Sequence, residues 1–290
     1  MRNSGWMTSK ISLDPMESAG ILMVLSLALL ATFAPLLAPH DPVRAVAETF
    51  GDPGAPSRAF PLGTDQLGRD VLSRIIFGAR ISLSVGVAAM LVTTVIGVTI
   101  GLLSGFFGGS VDFVLMRLTD VMLTLPALFL AMALVSVLRP SLFNILIVIG
   151  LVSWTGVARV IRAETMSMAQ RDFVLGARAL GASPKRLILR HVFPNVMPII
   201  VVMAVLGTSG TLLLDAGLSF LGLGVPPPTP SWGRMIDEAT TYFRTAPWLA
   251  VFPGIAIFYA VLAFNLLGYG YLRRRGRSSV SQPGATMEQD

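Results

Sequence analysis

Six stretches of this chain contain no charged side chain, and they limit what it can fold into more than any other feature. They cover residues 18–38, 81–111, 121–138, 140–158, 192–214 and 245–272. An α-helix needs about 20 apolar residues to cross the ~30 Å hydrocarbon core of a bilayer. The pattern therefore predicts an all-α integral membrane protein with six transmembrane helices.

The composition agrees with a fold determined by lipid. Hydrophobic residues occupy 53% of the 290 positions and charged residues only 13%, whereas a soluble domain has about 25% charged residues. Cysteine is absent, which excludes disulfides and thiolate metal sites, and the two histidines lie far apart in different loops, so we expect no metal site. The net charge of +6 comes from cations at the ends of apolar stretches, which indicates membrane orientation rather than nucleic-acid binding.

The first apolar stretch could be either a cleaved signal peptide or a permanent anchor. It is longer than the ~7–15 apolar residues of a signal peptide, and its end, Leu36-Leu37-Ala38, lacks the small-residue pattern of a cleavage site. We therefore expect residues 18–38 to be an uncleaved first transmembrane helix.

Lysine and arginine predict which side of the membrane each connection occupies, because they accumulate on the cytoplasmic side. The arginine cluster after the last stretch predicts that residues 273–290 form a cytoplasmic basic tail. With six spans, residues 1–17 then lie in the cytoplasm as well. The connection after the fourth stretch carries further cations: Arg162, Arg171, Arg178, Lys185, Arg186 and Arg190. These connections all favour one orientation.

Residues 39–80 are then predicted to form an extracytoplasmic loop. The loop carries arginines, against the orientation rule, but an equal number of acidic residues balances them. We expect a small folded element, with an amphipathic helix from about residue 69 to residue 80 lying at the membrane interface.

Glycines recur every fourth residue in the second stretch, at Gly97, Gly101, Gly105 and Gly109. Such a stripe lets another helix backbone approach closely. Two interpretations remain open, namely ordinary helix packing and a sliding surface used in a conformational change. Ser110 is predicted to cap the following helix, with Asp112 in its first turn, where the helix dipole favours an anion.

Three charged residues lie at membrane depth and are candidates for a translocation pathway. Arg117 and Asp120 are three residues apart on one helix face and could pair, or could reach the nearby cytoplasmic interface. Asp215 lies deeper, toward the outer end of the fifth stretch. Because a carboxylate in the membrane is costly, we expect it to contact either a substrate or a neighbouring helix.

A charged, helix-forming segment at residues 172–194 separates the fourth and fifth stretches. Its apolar side chains predict a short amphipathic helix that ends at Gly181. Ser183 and Pro184 predict the start of a second helix that enters the membrane, because proline is tolerated in the first helical turn. Such a segment can act as a lever for a cytoplasmic partner.

The segment resembles the EAA loop of permeases from binding-protein-dependent ABC transporters. Ala177, Gly181 and Pro194 match the spacing of that loop. Leu175 and Gly176 stand where the family has Glu and Ala, so the residue that names the motif is absent. His191 stands where isoleucine is usual.

Other stretches resemble the dipeptide, oligopeptide and nickel permeases of this family. Residues 62–74 contain the signature Gly-Thr-Asp-x-Leu-Gly-Arg-Asp, and residues 218–224, 228–233 and 263–268 match further motifs in the same order. Residues 269–275 depart from the acidic tail that the family often has, and Asp215 replaces a more usual Glu.

The resemblance implies a type I ABC importer permease fold, with a core at residues 81–272 and a coupling helix at residues 172–186. It implies a bacterial inner-membrane complex with a homologous permease, two cytoplasmic ATPases and an extracytoplasmic binding protein. By the same resemblance, the residues expected to contact the ATPases are Phe173, Ala177, Gly181, Ala182, Ser183 and Pro184. ATP and Mg²⁺ are expected on the partners, because this chain has no Gly-x-x-x-x-Gly-Lys-Ser/Thr loop.

The expected function is therefore import of dipeptides or oligopeptides, and nickel chelates or glutathione are alternatives within the family. An ion-coupled secondary transporter would need ionisable residues near the midplane or an inverted repeat. Only Asp215 is a serious candidate for such a residue, and no repeat is evident. A membrane enzyme would need a paired catalytic constellation, which the sequence does not offer.

Overall fold

The structure, a computed structural model, describes residues 14–47, 51–138 and 141–280. Within these ranges the regular structure is helical, apart from one isolated β-bridge between Thr64 and Asp70. The predicted all-α fold is confirmed. The two predicted terminal segments lie partly outside the described residues.

The α-helices of these ranges are joined mostly by short connections, and the longer connections follow the second, ninth and tenth helices. They are α1 (Pro15–Thr32), α2 (Ala34–Leu37), α3 (Val71–Phe107), α4 (Gly109–Thr124), α5 (Ala127–Val137), α6 (Leu142–Ala169), α7 (Asp172–Ala179), α8 (Pro184–Leu187), α9 (Phe193–Phe220), α10 (Trp232–Ala239) and α11 (Trp248–Val280). A π-helical turn (Ile188–Val192) joins α8 to α9 without a break.

The described residues contain six spans if one broken pair counts as a span. Five segments are long and apolar enough to cross a membrane, namely α1, α3, α6, the run from α8 through α9, and α11. Helices α4 and α5 together make the sixth and are bent by 87°. Leu125 is extended there (φ −98°, ψ 130°), because the ring of Pro126 disfavours helical backbone in the preceding residue.

The second span begins earlier than the hydrophobic pattern indicates. Helix α3 starts at Val71, so the amphipathic helix predicted at residues 69–80 is its first turns rather than a separate element. Asp70 caps it by accepting a hydrogen bond from the backbone N–H of Ser73 at 3.0 Å. The predicted first span is also divided, since α1 ends at Thr32 and the short α2 follows Phe33.

The glycine stripe packs α3 against α6. A β-carbon would lie 2.7 Å from the side chain of Val157 at Gly97, and 2.7 Å from the carbonyl oxygen of Ala158 at Gly101. Gly105 faces the backbone of Arg162 in the same way. The stripe therefore serves close packing within this chain, which favours the first of the two interpretations.

The fourth glycine of the pattern has a different place. Gly109 begins α4 with a φ of +52°, and no atom lies within 4 Å of where its β-carbon would be. The predicted cap at Ser110 is wrong, because Gly108 is the N-cap residue and Ser110 lies inside the helix. Asp112 is in the first turn as predicted.

The first and last of the described helices meet on one side of the bundle. Helix α1 packs along α11, where Gly20 and Gly270 allow the two backbones to approach. A guanidinium nitrogen of Arg274 lies 3.2 Å from the carboxylate of Glu17. The start of α1 and the basic part of α11 around Arg274 are thus adjacent.

Candidate functional site

The segment between α6 and α9 has the predicted helix–turn–helix form. Gly181 has a φ of +82°, a conformation that glycine adopts without the cost of a β-carbon. The N–H of Ala182 reaches back to the carbonyl oxygen of Ala177 at 3.1 Å and closes the end of α7. The hydroxyl of Ser183 accepts from the N–H of Arg186 at 3.4 Å, and Pro184 opens α8.

One side of this segment is anchored to the membrane helices. Val174 is fully buried and belongs to one apolar cluster with Leu102 of α3, Ile161 of α6 and Val192. The guanidinium of Arg178 stands 5.5 Å from the ring centre of Phe106 at the end of α3, within the range of a cation–π contact. The buried side of α7 is therefore in contact with α6 and the end of α3.

The other side of the segment is open. Phe173 and Leu175 are about half exposed, and Leu180 is 91% exposed. Of the predicted partner contacts, Phe173, Gly181, Ser183 and Pro184 are exposed, whereas Ala177 and Ala182 are partly buried and pack against the apolar cluster. Leu180 is one of the apolar side chains from which the amphipathic helix was predicted, but its near-complete exposure at the turn could not be read from the sequence.

A groove of about 590 Å³ lies on one face of the spans. Four helices contribute to it: Met90 and Thr93 from α3; Ala127 and Leu128 from α5; Ser153, Gly156 and Val157 from α6; and Met203, Leu206, Gly207, Gly210, Thr211, Leu213, Leu214 and Gly217 from α9. None of these lining residues is charged. The hydroxyl of Thr211 donates to the carbonyl oxygen of Gly86 at 2.8 Å, so it is engaged within the chain. The groove is thus uncharged, weakly polar and rich in glycine.

Two of the predicted pathway charges have partners different from the expected one. Asp120 accepts from a guanidinium nitrogen of Arg159 on α6 at 2.6 Å, and the guanidinium of Arg117 stands 5.5 Å from the ring centre of Phe113. Of the two alternatives for Arg117 and Asp120, the pair between them does not form. The partner of Asp120 lies on a facing helix, which the spacing along one helix could not indicate.

The third predicted charge is enclosed by this chain. Asp215 is 1% exposed and lies between helices, near Ser82 of α3 and Trp232 of α10. It is not among the residues that line the groove. One of its carboxylate oxygens has no hydrogen-bond partner among the described residues. Its contacts agree with the helix-neighbour alternative, and a part in translocation stays a prediction.

An additional pair, which sequence reasoning missed, joins α4 to α6 near the segment described above. Both Nε and one terminal nitrogen of Arg162 donate to Asp112, each at 2.5 Å. The two residues are 50 positions apart, so no local spacing indicates the pair. An acidic residue in a first helical turn was the only available signal.

On the opposite side of the bundle, the signature in residues 62–74 forms a buried charge cluster. Asp65 accepts from Nε of Arg69 at 2.7 Å and also from Arg74. Glu238 of α10 completes the cluster 3.2 Å from Arg69. The signature therefore joins the long loop, the start of α3 and α10 into one unit. The part of Glu238 could not be read from the sequence.

Comparison with known proteins agrees with this architecture. Residues 97–277 match the family model described as the inner membrane component of binding-protein-dependent transport systems. The chain is 43% identical over 256 residues to the di/tripeptide transport system permease protein DppC of Pseudomonas aeruginosa, an alignment that covers 87% of this chain and 84% of that protein.

Two further relatives are similar to the same extent. The dipeptide transport system permease protein DppC of Haemophilus influenzae is 40% identical over 257 residues, covering 87% of this chain and 86% of that protein. The glutathione transport system permease protein GsiD of Pectobacterium atrosepticum is also 40% identical over 257 residues, covering 87% and 83%. With a family model that spans more than half of its length and relatives that match nearly all of it, the chain belongs to the inner membrane components of binding-protein-dependent transport systems.

Proposed function

We propose that this chain is a permease subunit of an ATP-driven importer of dipeptides and short oligopeptides. Together with a homologous permease it forms the translocation pathway, and an extracytoplasmic binding protein delivers the substrate. The observation that carries this proposal is the segment α7–α8, here called the coupling segment, which presents an exposed surface where α6 ends and the run from α8 through α9 begins, while its buried side contacts α3 and α6.

The energy for transport comes from partner subunits. The chain lacks a phosphate-binding loop, and among its described residues there is no cluster of side chains suited to a metal ion. ATP and Mg²⁺ are accordingly assigned to two cytoplasmic ATPases. Closure of the ATPase pair pushes on Phe173, Gly181, Ser183 and Pro184, and the spans shift between two packed states, each stabilised by a different ligand.

The orientation follows from the position of that surface. If ATPases bind α7 and α8, both chain ends face the cytoplasm, because the end of α11 lies beside the start of α1. The charge cluster of Asp65, Arg69, Arg74 and Glu238 then lies on the extracytoplasmic side of the bacterial inner membrane, where the binding protein docks.

A peptide substrate suits the uncharged groove. A surface made of glycines and few polar side chains tolerates variation in peptide side chains, because it imposes few fixed hydrogen bonds. Relatives of this chain are named for dipeptides and for glutathione, and glutathione is itself a small peptide. Glutathione is therefore the second candidate substrate, and the binding protein rather than this chain determines the choice.

The test is transport by the complete complex in proteoliposomes. The chain is co-expressed with its permease partner, ATPases and binding protein, and uptake of a radiolabelled dipeptide and of glutathione is measured with ATP inside. We expect uptake of one of them that depends on ATP and the binding protein and is blocked by vanadate. Uptake driven by an ion gradient without ATP would contradict the proposal.

A further inference from the structure

Helix α4 is loosely attached to the rest of the chain. Thr119 is the only buried residue of α4. The helix packs against α6 and against α3, to which the turn at Gly108 connects it. Its apolar side chains, such as Phe113 and Val114, are mostly exposed. Apolar burial within this chain therefore contributes little to the position of α4, and the polar contacts of the helix gain importance.

The hydroxyl of Ser104 on α3 donates to Asp112, and the other polar contacts of α4 form a ladder of two ion pairs along α6. Arg162 binds both carboxylate oxygens of Asp112 at 2.5 Å, and Arg159 binds Asp120 at 2.6 Å. The two arginines are three residues apart, so they lie on the same face of α6. Two-point binding by a guanidinium fixes direction as well as distance, so the ladder determines how α4 is placed against α6.

The ion pair between Asp112 and Arg162 is the one that lies beside the coupling segment. Ile161, next to Arg162, belongs to the buried cluster that contains Val174 of α7. The backbone of Arg162 packs against Gly101 and Gly105 of α3. Val174 of α7 thus shares a buried cluster with the part of α6 that carries the arginines.

The upper end of α4 leads to the groove. After the 87° bend at Leu125 and Pro126, α5 begins with Ala127 and Leu128, both of which line the groove. The side chain of Leu128 also lies 3.7 Å from where a β-carbon on Gly217 of α9 would be. A displacement of α4 that carried the bend with it would move the start of α5, which lines the groove.

We propose that Arg159 and Arg162 are positioning residues that transmit movement of the coupling segment through α4 to a gate at the start of α5. The proposal rests on the proposed function and adds to it the path from the ATPase contact to the groove. The two ion pairs act as a two-point tether, so that α4 moves together with α6 while the apolar face of α4 moves relative to the residues around it.

The closing experiment measures movement of the gate without needing a transported substrate. The chain has no cysteine, so Phe129→Cys, at a 65% exposed position of α5, gives this chain a single thiol, whose reaction with maleimide is followed on the separated subunit after labelling of the reconstituted complex. We expect vanadate trapping to change its labelling rate by at least about fivefold, the lower end of ordinary coupling between sites. In an Arg159→Gln, Arg162→Gln variant, the rate no longer depends on the nucleotide although ATP is still hydrolysed.

A charge exchange separates transmission from simple stabilisation. Asp120→Arg or Arg159→Asp alone abolishes the nucleotide dependence of labelling, and the two together restore it, since the pair is half exposed and tolerates inversion. Asp41 and Arg44 are the control, because they form an exposed ion pair in the long loop. Arg44→Gln leaves the labelling response unchanged.

The outcomes separate this inference from the proposed function. A response that persists in the double glutamine variant overturns the inference, and so does a loss that only follows reduced assembly of the complex. An intact complex that imports no peptide, yet loses its labelling response when the ladder is removed, contradicts the proposed substrate and supports the tether.

Discussion

Arg74 and Glu238 lie 2.8 Å apart, measured from Nη2 of Arg74 to Oε2 of Glu238. The contact links the first turn of α3 to α10, two elements far apart in the chain. The side chain of Arg74 is 3% exposed and that of Glu238 15%. Charges so deeply buried are stable only with a partner, because taking them out of water is expensive.

Glu238→Gln should therefore destabilise the unit formed by the long loop, the start of α3 and α10. It leaves Arg69 and Arg74 with Asp65 as their remaining carboxylate in the cluster, and breaking a buried ion pair by removing one partner costs about 3–5 kcal/mol. We expect a lower unfolding temperature of the complex in detergent and a lower yield. The neighbouring Asp237→Asn, whose side chain is outside the cluster, should change stability little. Equal unfolding temperatures for the two variants would contradict the prediction.

The contact between α3 and α6 gives a second prediction. Gly101→Ala places a methyl group 2.7 Å from the carbonyl oxygen of Ala158 and 2.8 Å from Ile161. Overpacking of this kind costs about 1–3 kcal/mol, so thermal unfolding should occur at lower temperature. Gly254→Ala is the control, because nothing lies within 4 Å of its β-carbon. A Gly101→Ala protein as stable as this control would show that α3 and α6 can separate freely.

These two contacts also show where prediction from the sequence succeeds and fails. The absence of charge predicts the spans, because lipid admits few charges anywhere in a helix. The same criterion misplaced the start of α3, since Arg74 was assigned to a loop. Glu238, the partner of both Arg74 and Arg69, lies far along the chain, 169 positions from Arg69. Local rules cannot indicate such partners.

The coupling segment was predictable because its signals are local. Gly181, Ser183 and Pro184 act through backbone geometry within one turn. The bend of the third span had a local signal too, at Pro126, but the uncharged stretch around it read as one continuous helix. The ladder from α4 to α6 depends on helix packing, and the sequence alone could not provide it.

The left-handed backbone of Gly181 leads to a third prediction. Its φ of +82° makes any side chain there unfavourable by about 1–2 kcal/mol, although the surrounding space is open. Gly181→Val should therefore displace α7 relative to α8 and lower the number of peptides imported per ATP hydrolysed. Gly176→Ala, inside α7 and also in open space, should leave that ratio unchanged. A normal ratio in Gly181→Val would show that the turn has no part in coupling.

Leu180 carries a fourth prediction, about ATPase binding. Because this side chain is 91% exposed, Leu180→Ala removes almost no contact within the chain and should not change its unfolding temperature. If it fills a pocket on an ATPase as an interface anchor, its loss weakens binding by about 2 kcal/mol, or roughly thirtyfold, in a titration of ATPase onto permease in nanodiscs. Leu22→Ala, at a 68% exposed position of α1, should bind normally. Unchanged affinity for Leu180→Ala would exclude it as an anchor.

The last prediction concerns orientation. Ser183 is exposed at the start of α8, and Ser57 is exposed in the long loop. In a chain without native cysteine, Ser183→Cys should react with a membrane-impermeant maleimide only in inside-out vesicles, and Ser57→Cys only in intact spheroplasts. The two positions lie on opposite sides because an odd number of spans separates them: α3, the α4–α5 pair and α6. Labelling of both thiols from one side would mean that α4 and α5 enter and leave the membrane on the same face, and that the broken pair is a re-entrant loop rather than a span.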